Sequence, residues 1–382
     1  MSWHLKTDPS GLQGRWSDEA AARYRAAGYW RESTLTDVAR AAVRDNPDRA
    51  LAVQGDRALT RRGAWDEALR LCAFFRERGL VPGDVVSMQL PNWLEACVVA
   101  LATRMMGLIL NPIPPIYRGS ELAYILADCR AKAIFIPTTF RKHDFEAMIA
   151  QLRPGLPLLR DVIRVRGEGP SGYAAVAGRA PLPEQELPRV DPGAMMMVMY
   201  TSGTTGRPKG VLHTHYNYDY RIRGMGEAWS IGPDDVIFMP SPVSHITGAF
   251  WAFDMPWVRG CCSVLLDVWT PEEGLLQIEK HGCTVSGGAT PFLQQLVDLG
   301  RERPEALSSL RLFFCGGTTV SPQLIRTAGE LFPHCLFFRA YGSTEMSSAT
   351  VGISERGQRE LGAETDGGVV YPTEGKIVDP AT

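Results

Sequence analysis

The sequence contains no run of about twenty apolar residues, the length that a membrane-spanning helix needs. Its longest apolar stretch, residues 94–116, is interrupted by Arg104 and then by three prolines, a pattern typical of a buried helix followed by a loop. Residues 1–16 also lack the apolar run of a secretory signal peptide. We therefore expect a cytoplasmic protein without integral membrane association.

An excess of charge of one sign is also missing. The 40 Lys and Arg residues nearly balance the 42 Asp and Glu residues, and the formal net charge is −2. Because nucleic acids attract strongly basic proteins, this balance gives no electrostatic reason to expect nucleic-acid binding.

The eight cysteines form no C-x-x-C pair, the spacing that most often marks a zinc or redox site. Most of them stand in apolar segments. We therefore expect reduced, buried thiols that form neither disulfides nor a zinc site.

At 382 residues, the chain is long enough for two or three compact units. Helical periodicity, as over 34–49 with Thr34 or Thr36 as N-cap, alternates with short apolar runs along most of the chain. This alternation predicts an α/β fold with largely parallel sheets. Residues 166–193 are rich in Gly, Pro and Ala, without a clear period, and predict an exposed connection between two units.

The stretch MYTSGTTGRPKGV, residues 199–211, combines three glycines, several hydroxyl groups and the single lysine Lys209. Glycines let backbone N–H groups approach phosphate oxygens, hydroxyl groups add donors, and a lysine adds a positive charge. The spacing is not the Walker pattern G-x-x-x-x-G-K-[ST], and the dinucleotide pattern G-x-G-x-x-G is absent from this loop. The stretch therefore predicts a polyphosphate-binding loop of a different type.

Residues 200–210, YTSGTTGRPKG, resemble the signature of the adenylate-forming superfamily, which includes acyl-CoA synthetases, aryl-acid ligases, luciferases and peptide-synthetase adenylation domains. Four further blocks resemble motifs of that family and follow in its order. These are the helix-and-loop block at 90–115, PSPVSHITG at 240–248, FFCGGTTVSP at 313–322 and YGSTE at 341–345. The chain looks most like short- or medium-chain and alicyclic acid–CoA ligases.

The resemblance implies a two-step reaction. A carboxylate attacks the α-phosphate of ATP, which gives an acyl-adenylate and pyrophosphate, and coenzyme A then takes the acyl group. ATP, Mg²⁺ and coenzyme A are therefore the expected cofactor and co-substrates, and a small carboxylic acid is the expected partner. Catalysis of this kind depends mainly on positioning and electrostatic stabilisation.

The resemblance also implies a role for each matching residue. The ATP phosphates are assigned to Thr201, Ser202, Gly203, Thr204, Thr205, Gly206 and Lys209. Adenine and AMP are assigned to Gly316, Gly317, Thr318, Arg339, Ala340, Tyr341, Gly342, Ser343 and Thr344, with Tyr341 as the stacking ring. The expected catalytic residues are Thr344, Glu345, Lys209 and His245, and Glu345 is the expected ligand of Mg²⁺.

The acid pocket is expected at His245, Phe250, Trp251, Gly288 and Gly317. Phe250 and Trp251 have an alternative interpretation as ordinary core aromatics. In addition, the chain has GGTTV where many relatives have Gly-Ala-Pro or Gly-Gly-Ala-Pro, so this turn is more polar than usual.

The resemblance further implies layered αβαβα packing of two subdomains, 75–225 and 20–74 with 226–340, followed by the start of a small β-subdomain at 341–382. The family also carries a ribose-binding aspartate in a Thr-Gly-Asp stretch and a C-terminal lid with a lysine, and this sequence matches neither. We therefore expect residues 1–382 to be the large N-terminal region, a fragment that binds nucleotide and acid but adenylates weakly. A homodimer is a further expectation.

Two alternative functions stay open at this point. An aryl-acid adenylating enzyme that loads a carrier protein would carry the same motifs. A non-catalytic nucleotide-binding module would keep the fold alone, although the intact Lys209, Thr344 and Glu345 argue against it.

Overall fold

The computed structural model describes residues 2–8, 10–201, 206–370 and 373–379. The strands in these ranges are β1 (His4–Thr7), β2 (Gln13–Trp16), β3 (Ala50–Gln54), β4 (Arg57–Thr60), β5 (Val85–Met88), β6 (Ile109–Pro112), β7 (Ala133–Pro137), β8 (Thr139–Phe140), β9 (His143–Asp144), β10 (Asp161–Val165), β11 (Met195–Thr201), β12 (Lys209–Thr214), β13 (Val236–Met239), β14 (Cys262–Leu265), β15 (Val285–Gly288), β16 (Leu312–Cys315) and β17 (Leu336–Arg339). The α-helices are α1 (Asp18–Ala26), α2 (Leu35–Asp45), α3 (Arg61–Glu77), α4 (Leu94–Met105), α5 (Gly119–Asp128), α6 (Phe145–Leu152), α7 (Tyr173–Ala177), α8 (His215–Ala228), α9 (Ile246–Ala249), α10 (Met255–Arg259), α11 (Pro271–His281), α12 (Thr290–Gly300), α13 (Pro322–Leu331) and α14 (Arg359–Glu364).

Two large sheets organise the chain, and both are parallel except at one edge. The first has the strand order β10-β7-β5-β6-β11-β12, and only β12 runs antiparallel to its neighbour. The second has the order β17-β16-β15-β13-β14-β3-β4, and only β4 is antiparallel. The α/β fold with largely parallel sheets is thus confirmed.

The apolar runs of the sequence correspond to strands that are covered on both faces. Every residue of β7 and of β16 is buried, as expected for inner strands of parallel sheets with helices on each side. Helix α4 is buried at all its positions, which explains why its sequence is apolar all round. At its N-terminal side, α2 carries the predicted cap, because the Thr34 side chain and Asp37 form a reciprocal capping box.

The eight cysteines are all free thiols, as predicted, and seven of them are buried, while Cys262 is half-buried. Burial raises the pKa of these thiols, for example to about 11 for Cys315. Raised thiol pKa values disfavour the reactive thiolate, so these side chains act as small apolar core residues.

One turn of π-helix, Phe250–Asp254, lies between α9 and α10. It directs Asp254 against Arg104 of α4, and the two side chains form an ion pair of 2.7 Å. Both are almost fully buried, with 3% of the Arg104 side chain and 1% of the Asp254 side chain exposed. This charged pair links the second half of the chain to the helix that follows β5.

Two segments outside the large sheets have little regular structure. The predicted connection at 166–193 contains only α7 and one 3₁₀ turn, Glu184–Glu186. Beyond β17, the described residues form α14 and isolated bridges such as Thr350 with Val369, so the small β-subdomain at 341–382 stays a prediction. No helix in the described ranges is both long and apolar enough to cross a membrane.

Candidate active site

The predicted phosphate loop joins β11 to the antiparallel edge strand β12. Thr201 ends β11 and pairs with Lys209, which begins β12 and is exposed. Gly206 has a φ of +91°, in the left-handed region that favours glycine. Four of the predicted phosphate ligands, Ser202, Gly203, Thr204 and Thr205, lie outside the described residues.

The stem of this hairpin is held by a contact that sequence reasoning missed. The Tyr200 hydroxyl donates a hydrogen bond of 2.5 Å to Asp128 at the end of α5, and burial together with this carboxylate raises the pKa of the Tyr200 hydroxyl. A Cβ atom on Gly210 would lie 3.4 Å from Cζ of Tyr200, so this glycine lets the tyrosine ring lie over β12. The chain entering the loop is therefore fixed to α5.

The glycine turn after β16 lies at the edge where β15, β16 and β17 all end. Gly288, Cys315 and Arg339 are register partners there, because carboxyl ends of parallel strands meet at one edge. The Gly316 N–H donates to the Gly288 carbonyl at 3.0 Å, and a Cβ atom on Gly316 would lie only 2.2 Å from the Ala340 carbonyl oxygen. Only glycine fits at this position without displacing the backbone that leads to Tyr341.

The two threonines that depart from the family pattern also lie at this edge. The Thr318 and Thr290 hydroxyl oxygens are 2.9 Å apart, and the Thr290 hydroxyl donates to the Thr319 carbonyl at 3.0 Å. These bonds tie the turn to the start of α12. Gly317 has a φ of +80°, and nothing lies within 4 Å of the Cβ position there, so the turn leaves open space beside it.

The predicted adenine-binding tyrosine lies in a tightly bonded loop. The Tyr341 backbone N–H donates to the Thr350 hydroxyl at 2.8 Å, and its carbonyl accepts from the Ala349 N–H at 2.8 Å. The residue is 59% exposed, so its side chain is accessible to a ligand. Within the loop, the Ser343 N–H donates to the Met346 carbonyl at 2.9 Å, and a Cβ atom on Gly342 would lie 2.7 Å from the Ser347 carbonyl oxygen.

Arg339 and Glu345 have different surroundings. The Arg339 guanidinium donates hydrogen bonds to Asp366 at 3.1 Å and to the Ala363 carbonyl at 3.3 Å, so it supports the segment after the loop.

Glu345 is exposed and Thr344 is half-buried. Among the residues that the structure describes, Glu345 forms no ion pair. A free carboxylate is what Mg²⁺ requires, because this ion commonly takes one or two carboxylates together with substrate phosphates. The described residues contain no cluster of three or more potential metal-binding side chains.

His245 is the N-cap of α9 and accepts a hydrogen bond of 3.3 Å from the Thr247 N–H at Nδ1. Its side chain is exposed at the end of the loop that follows β13, although partial desolvation lowers the pKa of its imidazole. Gly288 lies close to the same loop, because a Cβ atom there would be 2.9 Å from the Ser241 hydroxyl oxygen.

Phe250 and Trp251 lie inside the core. Phe250 contacts Tyr218 edge-on at 5.6 Å, and Trp251 packs against both Trp229 at 5.3 Å and Phe314 at 5.2 Å. Sequence reasoning missed Phe314, whose ring packs over Gly287. A Cβ atom on Gly287 would lie 2.2 Å from the Phe314 ring. The assignment of Phe250 and Trp251 to the acid pocket stays a prediction, and their described neighbours are those of core aromatics.

A histidine that sequence reasoning missed connects the phosphate hairpin to the Tyr341–Glu345 loop. His213 lies on β12 on the same side as Lys209, since side chains two or four residues apart share a strand face. Its Nε2 atom is buried and makes no hydrogen bond within the described part of the chain. Burial lowers the pKa of His213 to about 4, against the opposing influence of the Thr344 backbone and the Glu345 carboxylate. The sequence signal that could have found His213 is a histidine that ends the apolar run GVLH, at 210–213.

This histidine predicts a pH dependence of stability. The pKa of His213 is about 4 in the folded protein and ordinarily 6.5, so below pH 6.5 the unfolded chain binds the proton first. Stability is therefore lost as the pH falls from 6.5 towards 4, by about 3 kcal/mol at roughly 1.4 kcal/mol per pKa unit. We expect His213→Leu to lose less stability over this range than the unmodified protein, measured as urea midpoints at several pH values.

The exposed His4 provides the control, because His4→Gln should keep the original slope. His215 contributes separately to the pH dependence of stability in every variant, because burial lowers the pKa of its imidazole to about 3. An unchanged slope in His213→Leu would contradict the assignment of this acid sensitivity to His213.

His213 and Glu345 line a common cavity of about 80 Å³. Its other walls are Asn217, Tyr218 and Arg221 of α8 and Met346 and Ser347 of the following loop. The phosphate hairpin, the start of α8 and the predicted metal ligand thus meet in one place.

Comparison with known proteins identifies the relatives of this chain. The curated relatives include the medium-chain fatty-acid–CoA ligase of Escherichia coli K12, 33% identical over 96% of this chain and 65% of that protein. They also include a salicyl-AMP ligase / salicyl-S-ArCP synthetase of Mycobacterium tuberculosis, 31% identical over 81% of this chain and 56% of that protein. The chain thus spans about two thirds of their length or less.

Solved structures share the fold. The apo structure of Mycobacterium smegmatis MbtA has a TM-score of 0.84 and 27% identity, over 96% of this chain and 67% of that chain. The anthranilate CoA ligase AuaEII, solved with anthranoyl-AMP, has a TM-score of 0.82 over 92% of this chain and 66% of that chain, and at 22% identity it supports the fold alone. The sequence model of the AMP-binding enzymes matches residues 39–382. The chain therefore belongs to the AMP-binding enzyme family.

Proposed function

We propose that the protein containing this chain is an ATP-dependent, AMP-forming acid–CoA ligase. The observation that carries this proposal is the shared cavity of His213 and Glu345, which brings the phosphate hairpin beside the Tyr341–Glu345 loop. The 33% identity to a medium-chain fatty-acid–CoA ligase supports the reaction class.

In the proposed reaction, each motif binds one part of the nucleotide. The exposed ring of Tyr341 stacks on adenine beside the open space at Gly317, and the Thr344 hydroxyl donates to the α-phosphate. Lys209 and the loop before it bind the β- and γ-phosphates. Glu345 would hold Mg²⁺, which would neutralise charge on the phosphate oxygens. His245 lies at the mouth of the acid pocket and orients the carboxylate for in-line attack.

A second candidate is an aryl-acid adenylating enzyme that loads a carrier protein. The observation in its favour is the 31% identity to a salicyl-AMP ligase / salicyl-S-ArCP synthetase. The two functions differ in the acceptor thiol. Thioester formation with coenzyme A supports the first proposal, whereas acylation only of a phosphopantetheine-bearing carrier protein would replace it with the second. The cytoplasmic location and the homodimer stay predictions.

We also propose that residues 1–382 by themselves adenylate weakly, because the chain spans only 65% of the length of the Escherichia coli relative. The test is ATP–pyrophosphate exchange, with a panel of acids, on this chain and on a form extended to the length of its relatives. We expect exchange at least about 100-fold faster in the extended form, since a lid that completes the site supplies charge stabilisation of that order. Comparable rates in both forms would contradict the proposal.

A further inference from the structure

The cavity beside Glu345 contains a cation without an anionic partner. Arg221 of α8 is half-buried, and its Nη1 donates to the Ser348 carbonyl at 3.3 Å and to the Thr373 hydroxyl at 2.8 Å. No carboxylate pairs with it in the part of the chain that the structure describes. Partial burial leaves the Arg221 guanidinium incompletely solvated and lowers its pKa. A guanidinium has five N–H donors, so several remain to meet an acceptor.

A second polar group in the cavity also lacks a partner. His213 is 2% exposed, and its Nε2 atom forms no hydrogen bond to any described residue. A buried polar atom without a partner costs on the order of 1–3 kcal/mol. The Tyr218 hydroxyl of the same lining is also buried without a described hydrogen-bond partner. Two unpaired polar atoms beside a guanidinium without an anionic partner indicate that a ligand supplies what the protein does not.

The rest of the lining limits the size of that ligand. The ring of Tyr218 and the Met346 side chain provide apolar walls, and Glu345 lies at one side. The cavity measures about 80 Å³, below the ~300 Å³ at the lower end of ordinary small-molecule sites. This space suits a compact acyl group better than an extended chain of eight carbons.

We infer that the acid activated by this protein is compact and carries a second polar oxygen, such as a hydroxyl group or a second carboxylate, which accepts hydrogen bonds from Arg221 and His213. The inference rests on the proposed function, since it places the acyl group between Glu345 and α8, beside Tyr218, whose ring contacts Phe250 of the predicted acid pocket at 5.6 Å. The carboxylate that reacts would lie on the Thr344 side, and the second oxygen would face Arg221.

The polar lining should reject unsubstituted acids. A methylene group placed against Arg221 and His213 leaves their N–H groups unpaired after water has been displaced. Sites built to hydrogen-bond a substrate oxygen discriminate strongly against analogues that lack it, often by more than 100-fold. Aliphatic chains without a second oxygen are therefore poor ligands for this cavity.

The test uses sulfamoyl-adenosine conjugates, which mimic acyl-adenylates without reacting, and measures their binding to the whole chain by calorimetry. Two matched pairs isolate the second oxygen: 3-hydroxybutanoyl against butanoyl, and 2-hydroxybenzoyl against benzoyl. An octanoyl conjugate tests size. We expect the hydroxylated member of at least one pair to bind at least about tenfold tighter than its partner, and the octanoyl conjugate to bind more weakly than that member.

The variant Arg221→Gln should reduce this ratio to within about twofold while AMP binding is unchanged, because in the proposed arrangement the second oxygen of the acyl group, and not the phosphate of AMP, faces Arg221. Arg44→Gln, at an exposed arginine of α2, should keep the ratio. The inference is overturned if the octanoyl conjugate binds most tightly, if neither pair shows a preference, or if Arg221→Gln keeps the preference. If AMP still binds in any of these cases, the proposed function stands and only the substrate inference is overturned. If neither AMP nor any conjugate binds, the substrate inference and the proposed function are both overturned.

Discussion

Replacing Glu345 by glutamine should lower the rate of acid-dependent ATP–pyrophosphate exchange by about 10²- to 10³-fold in the form extended to the length of its relatives. The substitution keeps the shape of the side chain but removes the charge proposed to bind Mg²⁺, and losses of this size are usual when a group that stabilises transition-state charge is removed. Glu345 is exposed and has no described ion pair, so the fold does not depend on it.

The matched control is Glu355→Gln, since Glu355 is exposed and lies after the same loop. This variant should exchange at the original rate. Thermal unfolding of both variants should match that of the unmodified protein. Raising the Mg²⁺ concentration should recover part of the Glu345→Gln activity if the loss reflects weakened ion binding. A loss of less than about fivefold at low Mg²⁺ would remove Glu345 from the proposed metal site.

The variant Asp254→Asn should destabilise the protein by about 3–5 kcal/mol, the cost expected when a buried ion pair loses one partner. Arg104 and Asp254 are 3% and 1% exposed, so neither charge has access to water. The guanidinium left behind stays charged, because arginine is not deprotonated in proteins. Urea unfolding measures the change, and a loss below about 1 kcal/mol would contradict it.

The reciprocal variant Arg104→Met should behave differently with pH. Burial raises the pKa of Asp254 to about 6, so its carboxyl group is neutralised more readily than usual. A raised carboxyl pKa gives stability that is present at low pH and is lost as the pH rises through that value. We therefore expect Arg104→Met to cost less stability at pH 5.5 than at pH 8, because losing the guanidinium raises the pKa of Asp254 further. The cost of Asp254→Asn should instead fall slightly as the pH rises, because only the unmodified protein carries the carboxyl group that loses this stability.

Much of the fold could be predicted from local patterns. The short apolar runs that became β7, β13 and β16 are buried on both faces, and this is the arrangement that a continuous apolar run indicates. The sequence predicts the N-cap of α2 at Thr34 or Thr36, and the structure has Thr34 there, in a capping box with Asp37. The family, too, was recognisable, since its motifs are short and contiguous in sequence.

The contacts around the candidate site could not be predicted in this way, because they join residues that are distant in the sequence. Tyr200 bonds Asp128, 72 residues earlier, and Arg221 bonds Ser348, 127 residues later. Nothing in the composition near His213 indicates that Glu345 will lie beside it. For Phe250 and Trp251 the local pattern itself was ambiguous. Aromatic residues next to a motif histidine fit a substrate pocket and a hydrophobic core equally well until their neighbours are known.

The π-helical turn between His245 and α10 contains one residue more than a regular helix would place there. Each residue of an α-helix turns the chain by about 100°. If one residue were removed between Phe250 and Asp254, everything after it would rotate by that amount, and the Asp254 carboxylate would no longer face Arg104. The placement of the Asp254 charge in the interior is therefore set by the local length of chain between α9 and α10, and a deletion there would leave two buried charges apart.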